Sequence, residues 1–443
     1  MNRREFIQVT GAAALAAACA PKQAPEETAP EAMEYRENPL NGDRVSLLGF
    51  GCMRWPMVKD DNGKDVIDQE AVNEMVDYAL AHGVNYFDTS PAYLQGQSEQ
   101  AAGIALSRHP RDSYYIATKL SNFWDASPQA SIQMYKDSFR QLRTDYFDYY
   151  LLHAIGRGGK DAYKARYVDN GLVPFLLEEK KAGRIRNLGF SFHGAKHEFD
   201  YFMELHDSGE QVWDFVQIEM NYVDWRHADG VRNVNADYLY EQLDKRGIPI
   251  VIMEPLLGGR LANVPEGIAR QMKAREPGKS IASWAFRFCG SYPRVLCTLS
   301  GMTSMDPLLD NIDTFGHFKP LSEEELEFLE QMATQMMEYP LVNCTDCKYC
   351  MPCPWGIDIP GVFQHYNRAI TEGTYAQSRE QKDYARLKKA YLVSYNRAVA
   401  SVRQADHCIA CGECLSHCPQ SIPIPGQLRR IARYVEQLKQ DTL

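Results

Sequence analysis

The sequence of 443 residues contains no uninterrupted apolar run of the roughly 18 residues that a membrane-spanning helix needs, so it predicts no such helix. It also has no surplus of basic residues. Its 48 Lys and Arg are outnumbered by 58 Asp and Glu, and the net charge of −10 argues against binding of nucleic acid. With 45% apolar and 24% charged residues, the composition excludes a disordered, a collagen-like and a coiled-coil protein.

Cysteine is scarce outside the C-terminal quarter of the chain. Of the 12 cysteines, eight lie between Cys344 and Cys418. The charge is uneven as well, because from Leu341 onward 13 Lys and Arg face 9 Asp and Glu, whereas the whole chain is acidic. The length exceeds that of a typical domain of roughly 100–200 residues. These features predict one large domain followed by a smaller, cysteine-rich one.

The N-terminal residues have the pattern of an export signal. Arg3 and Arg4 precede a short Ala-rich apolar stretch, and Cys19 follows three alanines. A charged start, a short apolar stretch and small residues before a cleavage point are typical of export, and paired arginines are typical of the twin-arginine route. Cys19 is a candidate for lipidation, although the branched residue Leu15 precedes it by four positions rather than the usual three.

We therefore expect residues 1–32 to be an export signal with a flexible tether. The protein is then periplasmic, or it is anchored to a membrane as a lipoprotein through Cys19. The alternative is a cytosolic protein whose N-terminus is a fortuitous Ala-rich amphiphile.

The middle of the chain alternates between apolar segments and helix-like segments. Eight segments rich in β-branched and aromatic residues predict strands: Ser46–Gly51, Val84–Asp88, Tyr114–Lys119, Phe147–His153, Ile185–Phe192, Phe215–Met220, Ile248–Glu254 and Val295–Ser300. Gly83, Gly183 and Gly247 follow predicted helices, where glycine accepts the left-handed conformation of a helix C-terminus. Near-continuous apolar strands alternating with helices predict a parallel sheet that is buried on both faces.

Eight such units predict a closed (β/α)₈ TIM barrel. The alternative is an open, doubly wound sheet, which usually carries a Gly-rich phosphate-binding turn after its first strand. Residues 49–54 have no third glycine in the required place. We assign the barrel to residues 39–337.

Four chemically matched residues follow consecutive predicted strands, at the end where such barrels carry their active sites. Asp88 and Tyr93 follow the second strand, Lys119 ends the third and His153 ends the fourth. A tyrosine of pKa about 10 is a poor acid. A neighbouring ammonium stabilises the phenolate and lowers that pKa, a carboxylate keeps the ammonium charged, and a neutral imidazole can position a carbonyl oxygen. A tyrosine in these surroundings can protonate an oxyanion while hydride is transferred to the carbon that carries it.

Each of the four also has an ordinary structural explanation. A lysine at a strand end is often a solvated charge, and a histidine after two leucines is often a satisfied core residue. Their joint placement favours catalysis.

These residues resemble the aldo/keto reductase family over residues 39–337. The motifs that carry the resemblance are Asn85-Tyr86-Phe87-Asp88-Thr89 with Tyr93 five residues beyond Asp88, Thr118-Lys119, and Leu152-His153. The resemblance implies the same barrel. It also implies that Asp88, Tyr93, Lys119 and His153 form a catalytic tetrad with Tyr93 as the general acid, acting on a small carbonyl or alcohol substrate.

The resemblance extends to the cofactor site. Gly189-Phe190-Ser191, Gln217 and Asn221 match the region where the family holds the nicotinamide carboxamide with Ser and Gln, so Ser191, Gln217 and Asn221 are implied as cofactor-binding residues.

The sequence departs from the family at three points of that site. Phe192 follows Ser191, where the family commonly has Asn, and Met253 occupies the position of an aromatic residue that often stacks on the nicotinamide. Residues 300–307 contain no Lys or Arg to bind the 2′-phosphate of NADP. We therefore expect NAD(P)H without a preference for NADP, and NAD or another hydride or electron donor stays open.

Two cysteine runs form an internal repeat in the C-terminal segment. The second, Cys408-x₂-Cys411-x₂-Cys414-x₃-Cys418-Pro419, is the bacterial ferredoxin run, and the first, Cys344-x₂-Cys347-x₂-Cys350-x₂-Cys353-Pro354, is one residue shorter. In two-cluster ferredoxins the fourth cysteine of each run ligates the other cluster. This assigns one [4Fe–4S] cluster to a first cysteine set, Cys344, Cys347, Cys350 and Cys418, and another to a second cysteine set, Cys353, Cys408, Cys411 and Cys414.

The two runs resemble the two-cluster ferredoxin family over residues 343–361 and 406–426. We therefore expect a small, mostly α, ferredoxin-like domain at residues 340–443. Zinc and disulfides are the alternatives, since both also use paired cysteines. Cys52, Cys289 and Cys297 lie in the barrel, where we interpret them as small buried residues rather than ligands.

The leading hypothesis is an exported iron–sulfur oxidoreductase that exchanges electrons with a redox partner protein. A folded protein that already contains its clusters can still be exported, because the twin-arginine route carries folded cargo. Hydride moves two electrons together whereas clusters move one, so a flavin or a partner must mediate, and the sequence identifies no such site. The alternative function is electron transfer or redox sensing with a barrel that no longer turns over, which Phe192 and Met253 motivate.

Overall fold

The computed structural model describes residues 33–228 and 233–443. The predicted export signal, with Arg3, Arg4 and Cys19, lies outside the described residues. Among the helices of the described part, none is both long and apolar enough to cross a bilayer.

Eight parallel strands close into a barrel, which confirms the predicted fold. Two short antiparallel hairpins, β1 with β2 and β4 with β5, flank its first strand. The hairpin strands are β1 (Tyr35–Glu37), β2 (Arg44–Ser46), β4 (Met57–Lys59) and β5 (Asp65–Ile67). The barrel strands are β3 (Leu48–Gly51), β6 (Tyr86–Asp88), β7 (Tyr115–Leu120), β8 (Phe147–Ile155), β9 (Ile185–Phe192), β10 (Phe215–Glu219), β11 (Ile250–Met253) and β12 (Val295–Ser300).

Helices cover the outside of the barrel, as the alternation predicts. The α-helices up to residue 337 are Gln69–Ala81, Ser98–Leu106, Pro128–Leu142, Gly159–Tyr163, Leu172–Lys181, Lys196–Asp207, Asp224–His227, Ala236–Lys245, Glu266–Arg275, Ile281–Gly290, Met305–Gly316 and Glu323–Met337. Every residue of β8 is buried, because helices cover one face of the strand and the barrel interior covers the other. Gly83 and Gly183 follow two of the helices with φ of +88° and +78°, which confirms the predicted helix ends.

The first hairpin lies at the end of the barrel where the strands begin. Asn38 Nδ2 donates to Tyr149 Oη at 3.3 Å, and that hydroxyl donates to Asp43 Oδ2 at 2.9 Å. Tyr149 lies near the start of β8 and packs inside the barrel against Tyr86 and Phe215, with ring centroids 5.1 and 5.0 Å away. This end is therefore filled by side chains, and the opposite, carboxyl end is left for a site.

The C-terminal segment is helical, as expected, and contains no strand in residues 340–443, all of which are described. Its helices are Ile359–Thr371, Tyr384–Ala398 and Ile424–Gln440, and it has a hydrophobic core of its own. The first and last of these helices each begin at an Ile-Pro-Gly sequence that follows a cysteine run. The internal repeat of the sequence is therefore also a structural repeat.

The C-terminal segment packs on the carboxyl end of the barrel, and the two parts belong to one compact unit. Barrel side chains hydrogen-bond to the cysteine loops at four points: Arg54 Nη2 to Thr345 O, Arg157 Nη2 to Ser416 O, Arg260 Nη1 to Asn343 Oδ1, and Glu219 Oε1 from Gln420 Nε2. Gly258 lies so close to the backbone of Thr345 that a Cβ there would overlap with it. The cysteine loops therefore cover the barrel mouth.

Candidate active site

The structure brings the four predicted catalytic residues together at the barrel mouth. Asp88 ends β6, Lys119 lies in β7 and His153 lies in β8, while Tyr93 begins the turn that follows β6. Asp88, Tyr93 and His153 line a cavity of about 320 Å³, which we call the barrel cavity. Lys119 lies beneath it with its side chain fully buried.

Lys119 and Asp88 form a buried ion pair. The Lys119 ammonium donates to Asp88 Oδ1, and to Thr89 O at 2.9 Å. Burial lowers the pKa of Lys119 and raises the pKa of Asp88, and in each case the charge of the partner opposes the effect. Each residue therefore depends on the other to stay charged, since an unpaired buried charge is costly.

Tyr93 differs from the expectation in one respect. Its pKa is raised well above the ordinary value of 10, first by burial and then by the Asp88 carboxylate. The Lys119 ammonium lies over the face of the ring, 4.9 Å from its centroid. The expected net lowering of this pKa is therefore wrong for this structure, because desolvation and the Asp88 carboxylate raise it. A phenol of this kind stays protonated at neutral pH and gives its proton only to a strong base, such as an alkoxide.

The backbone after Tyr93 is strained. Leu94 and Gln95 have φ of +48° and +57°, a region that residues other than glycine rarely adopt. Such conformations persist only where the surrounding structure enforces them, and they cluster at functional sites. Here they accompany the turn that brings the Tyr93 ring within 5.9 Å of the His153 ring, edge to face.

His153 is held in its neutral form. Its Nδ1 contacts Ser121 Oγ at 2.5 Å and Ser90 Oγ at 3.3 Å. Burial, and then the charge of Lys119, lower its pKa well below 6.5, which agrees with the predicted neutral imidazole. With Nδ1 engaged by hydroxyls, Nε2 is the nitrogen that can donate to a substrate oxygen. Ser90 and Ser121 were not predicted from the sequence, although Ser90 follows Asp88, and Ser121 follows Lys119, by two positions.

Two of the three predicted cofactor-binding residues line the barrel cavity. Ser191 and Gln217 are buried in its wall. Gln217 Nε2 donates to Asp88 Oδ2 at 3.1 Å, and Ser191 Oγ accepts from Ala154 N at 2.8 Å. The Gln217 carbonyl and the Ser191 hydroxyl proton are left for a ligand, which fits the carboxamide of a nicotinamide.

The structure does not bring Asn221 to the cavity. Its Nδ2 donates to Asp224 Oδ2 at 2.7 Å and to Glu254 O at 3.1 Å, and its Oδ1 accepts from the backbone of Val223 and Asp224. These bonds shape the loop after β10 and use the whole amide. The assignment of Asn221 to the cofactor is therefore corrected to a structural role.

The departures from the family pattern have structural consequences. Phe192 points away from the cavity and packs on Phe199, with ring centroids 5.0 Å apart. Met253 lines the cavity, as do Ser300 and Thr303, and these residues bring no positive charge.

Two acidic residues of the barrel cavity were not selected from the sequence. Glu219 contacts His193 Nδ1 at 3.2 Å. Glu254 accepts from Gly258 N at 2.6 Å, and burial with the nearby Glu219 carboxylate raises its pKa to about 7. Glu254 has a φ of +55°, a strained backbone conformation. No local sequence pattern indicates such a conformation, so Glu254 could not be selected from the sequence.

The eight cysteines of the two runs line two further cavities. All four cysteines of the first set line one of them. All four of the second set line the other, together with Cys350. Cys353 thus lies with the second set although its run is one residue short. In a cubane [4Fe–4S] cluster each of the four irons is ligated by one thiolate, so the four cysteines must surround a common volume. Each set lines one such volume, although within the described residues no three side chains are grouped closely enough to hold a single metal ion.

The remaining cysteines of the described chain, Cys52, Cys289 and Cys297, are buried in the barrel, and burial raises the pKa of each thiol. They match the interpretation as small buried residues.

The buried pair gives a stability prediction. Lys119→Met leaves Asp88 buried without its cation, so its pKa rises further and unfolding becomes easier by about 3–5 kcal/mol at neutral pH. Asp88 ionises freely in the unfolded chain, with a pKa of about 3.9. A raised folded pKa adds stability at low pH that is lost as the pH rises. The loss should therefore be larger at about pH 8 than at about pH 6.

Denaturant unfolding of the parental protein and the variant at both pH values measures this. Asp88→Asn combined with Lys119→Met removes the buried charge and should recover much of the stability. A loss that is independent of pH, or no recovery in the double variant, contradicts a buried ion pair.

Comparisons with known proteins agree with the two parts of the structure. The model described as "Aldo/keto reductase family" matches residues 47–334, and "4Fe-4S dicluster domain" matches residues 343–422. L-galactose dehydrogenase of Arabidopsis thaliana is 25% identical over 317 residues, covering 66% of this chain and 91% of its own. Protein tas of Escherichia coli is 26% identical over 362 residues, covering 70% and 99%.

Solved structures share the barrel. An aldo-keto reductase from Bacillus halodurans in its holo form is 24% identical with a TM-score of 0.54, covering 68% of this chain and 96% of its own. The aldo/keto reductase from Klebsiella pneumoniae in complex with NADP and acetate is 21% identical with a TM-score of 0.52, covering 66% and 93%. Because the first family model matches well over half of its length, the chain belongs to the aldo/keto reductase family, and it carries a 4Fe-4S dicluster domain after its barrel.

Proposed function

We propose that this protein reduces a carbonyl group, or oxidises an alcohol, of a small substrate in the barrel cavity, and that it exchanges electrons with a redox partner protein through two [4Fe–4S] clusters. One observation carries the proposal. Cys347 of the first cysteine set lines the same cavity as Tyr93 and His153. A site for carbonyl chemistry and a site for electron transfer therefore share a wall.

Tyr93 is the proposed general acid. Tyr93 lines the cavity, and its hydroxyl keeps its proton until negative charge develops on a substrate oxygen. His153 Nε2 donates to that oxygen and holds it beside the phenol. The ion pair of Lys119 and Asp88 supports the Tyr93 ring from beneath, and Asp88 also orients Gln217. In the oxidising direction the same groups act in reverse, and Tyr93 receives the proton.

Ser191 and Gln217 are the proposed ligands of a nicotinamide carboxamide. A bound NAD(P)H supplies the hydride for the substrate carbon. Two observations support a dinucleotide. Ser191 and Gln217 lie in the cavity wall, and the related Klebsiella pneumoniae structure contains NADP. Ser300, Gly301 and Thr303 line the side of the cavity where the family binds the 2′-phosphate, and they offer no cation. The Arg54 side chain lies beside Gly301, but its guanidinium donates to Thr345 O. No preference for NADP is therefore proposed.

Each cysteine set is proposed to hold one [4Fe–4S] cluster, which supplies one-electron transfer. Barrel cations support the first set. Arg157 donates to Ser416 O at 2.5 Å and interacts electrostatically with Cys347 and Cys418, and Arg260 does so with Cys344. Positive charge beside thiolates and reduced iron favours the electron-rich state.

Export is part of the proposal. Arg3 and Arg4 support the twin-arginine route, and Cys19 supports a lipid anchor, so the mature protein is periplasmic or attached to a membrane. Folding before export agrees with a C-terminal segment that packs on the barrel.

The catalytic assignment predicts a specific loss. Tyr93→Phe removes the proton donor but keeps the ring, so carbonyl reduction should fall by about 10²–10⁴-fold. The iron content should not change. Rates should be measured with NADH, NADPH and a reduced low-potential dye as alternative donors, with Tyr201→Phe on the outer helix Lys196–Asp207 as the control. Parental rates in Tyr93→Phe with every donor that supports turnover would favour the alternative function, electron transfer without catalysis in the barrel.

The cluster assignment predicts composition. Protein purified anaerobically should contain about eight iron and eight sulfide per chain. Cys353→Ser and Cys418→Ser, which belong to different sets, should each lose about half of the iron. Cys289→Ala, a buried cysteine of the barrel, should keep all of it. A protein that contains zinc and no iron would rule the clusters out.

The export assignment predicts location. Replacing Arg3 and Arg4 together with Lys should retain the protein in the cytoplasm, because the twin-arginine route requires the arginine pair. Cell fractionation measures this. Cys19→Ala should abolish incorporation of labelled fatty acid, with the parental protein as the reference. Normal export of the double Lys variant would contradict the route, and absence of labelling in the parental protein would contradict the anchor.

A further inference from the structure

The three cavities adjoin one another through shared cysteines. Cys347 lines both the barrel cavity and the cavity of the first set. Cys350 lines both the cavity of the first set and that of the second. Tyr349, between these two cysteines, also lines the barrel cavity. The segment from Cys347 to Cys350 therefore runs from the active site past the first set to the second.

The two sets differ in their exposure to solvent. In the first set, Cys344 is only 9% exposed, and the barrel covers its loop through Arg54 and Gly258. In the second set, Cys411 is exposed. Three large apolar side chains around the second cavity are also exposed: Trp124 at 71%, Trp355 at 53% and Ile409 at 57%. The other three cysteines of each set are partly exposed. The first set therefore adjoins the catalytic cavity, and the second set is the more accessible to solvent.

From this arrangement we infer that the two clusters work in a fixed order, in which the first cysteine set serves the barrel cavity and the second set serves one-electron carriers in solution. With a cluster in each set, one electron from an external carrier, which would be oxidised, would reduce the cluster of the second set first, and that cluster would then reduce the cluster of the first set. In the oxidising direction the electron takes the opposite course. No bond forms or breaks in these transfers. The inference rests on the proposed function, because it requires both sets to hold clusters.

The Arg157 side chain ties the first set to the barrel. It lines the barrel cavity, donates to Ser416 O two residues before Cys418, and lies 5.9 Å from the Phe123 ring centroid. Arg403 is its counterpart in the C-terminal segment, because its Nε donates at 3.2 Å to Gly356 O, three residues beyond Cys353. The two arginines therefore offer matched substitutions beside different sets.

The first test measures access from solvent. Cys408→Ala with Cys414→Ala leaves the first set intact, and Cys344→Ala with Cys418→Ala, which do not line the cavity of the second set, leaves the second. Each protein is reduced, and relaxation of its EPR signal is measured with and without a soluble dysprosium chelate. We expect the chelate to accelerate relaxation strongly in the protein that keeps the second set and weakly in the one that keeps the first. Equal or reversed acceleration would overturn the order.

The second test uses the intact cluster pair, so it does not depend on the folding of the cysteine variants. The cluster whose EPR signal the chelate affects least should be that of the first set. In potentiometric titrations followed by EPR, Arg157→Gln should lower the reduction potential of that cluster, because a cation that stabilises its reduced state is lost. Arg403→Gln should leave that signal unchanged. A shift only in the chelate-sensitive signal of Arg157→Gln would overturn the order. A parental protein without eight iron would instead refute the proposed function.

Discussion

Closure of eight parallel strands into a barrel is the constraint on which the rest of the structure depends. Parallel closure places the carboxyl ends of all strands on one rim, so Asp88, Lys119 and His153 converge although they are far apart in sequence. The other end is filled by Tyr149 and its neighbours. Any segment that covers the open rim must therefore touch the chemistry, and here that segment carries the cysteines.

Burial dominates the electrostatics of the site. It raises the pKa of Tyr93 and lowers that of His153, so both stay neutral, while Lys119 and Asp88 keep their charges through each other. A neutral donor and a neutral imidazole above a buried ion pair suit a reaction in which negative charge appears only on the substrate oxygen. The covering by the cysteine loops contributes to this burial.

Much of this was predictable from sequence, because the signals are local. Apolar runs identify strands. Because the fold places the carboxyl end of every strand at the rim, a polar residue at that end, such as Lys119, lies at the rim as well. The cysteine spacing likewise identifies the two sets. What could not be predicted depends on tertiary contacts. Three features follow from packing between distant segments. The Asn221 amide bonds within a loop rather than lining the cavity, the pKa of Tyr93 is raised, and Tyr349 forms part of the cavity wall.

An iron–sulfur cluster is proposed to share a wall with the catalytic cavity. Anomalous diffraction at the iron edge, from crystals grown without oxygen, would locate the iron. We expect two separate four-iron sites per chain, one of them enclosed by Cys344, Cys347, Cys350 and Cys418 against the cavity that Tyr93 and His153 line. A map without iron beside Cys347, or with both iron sites away from the barrel mouth, would contradict it.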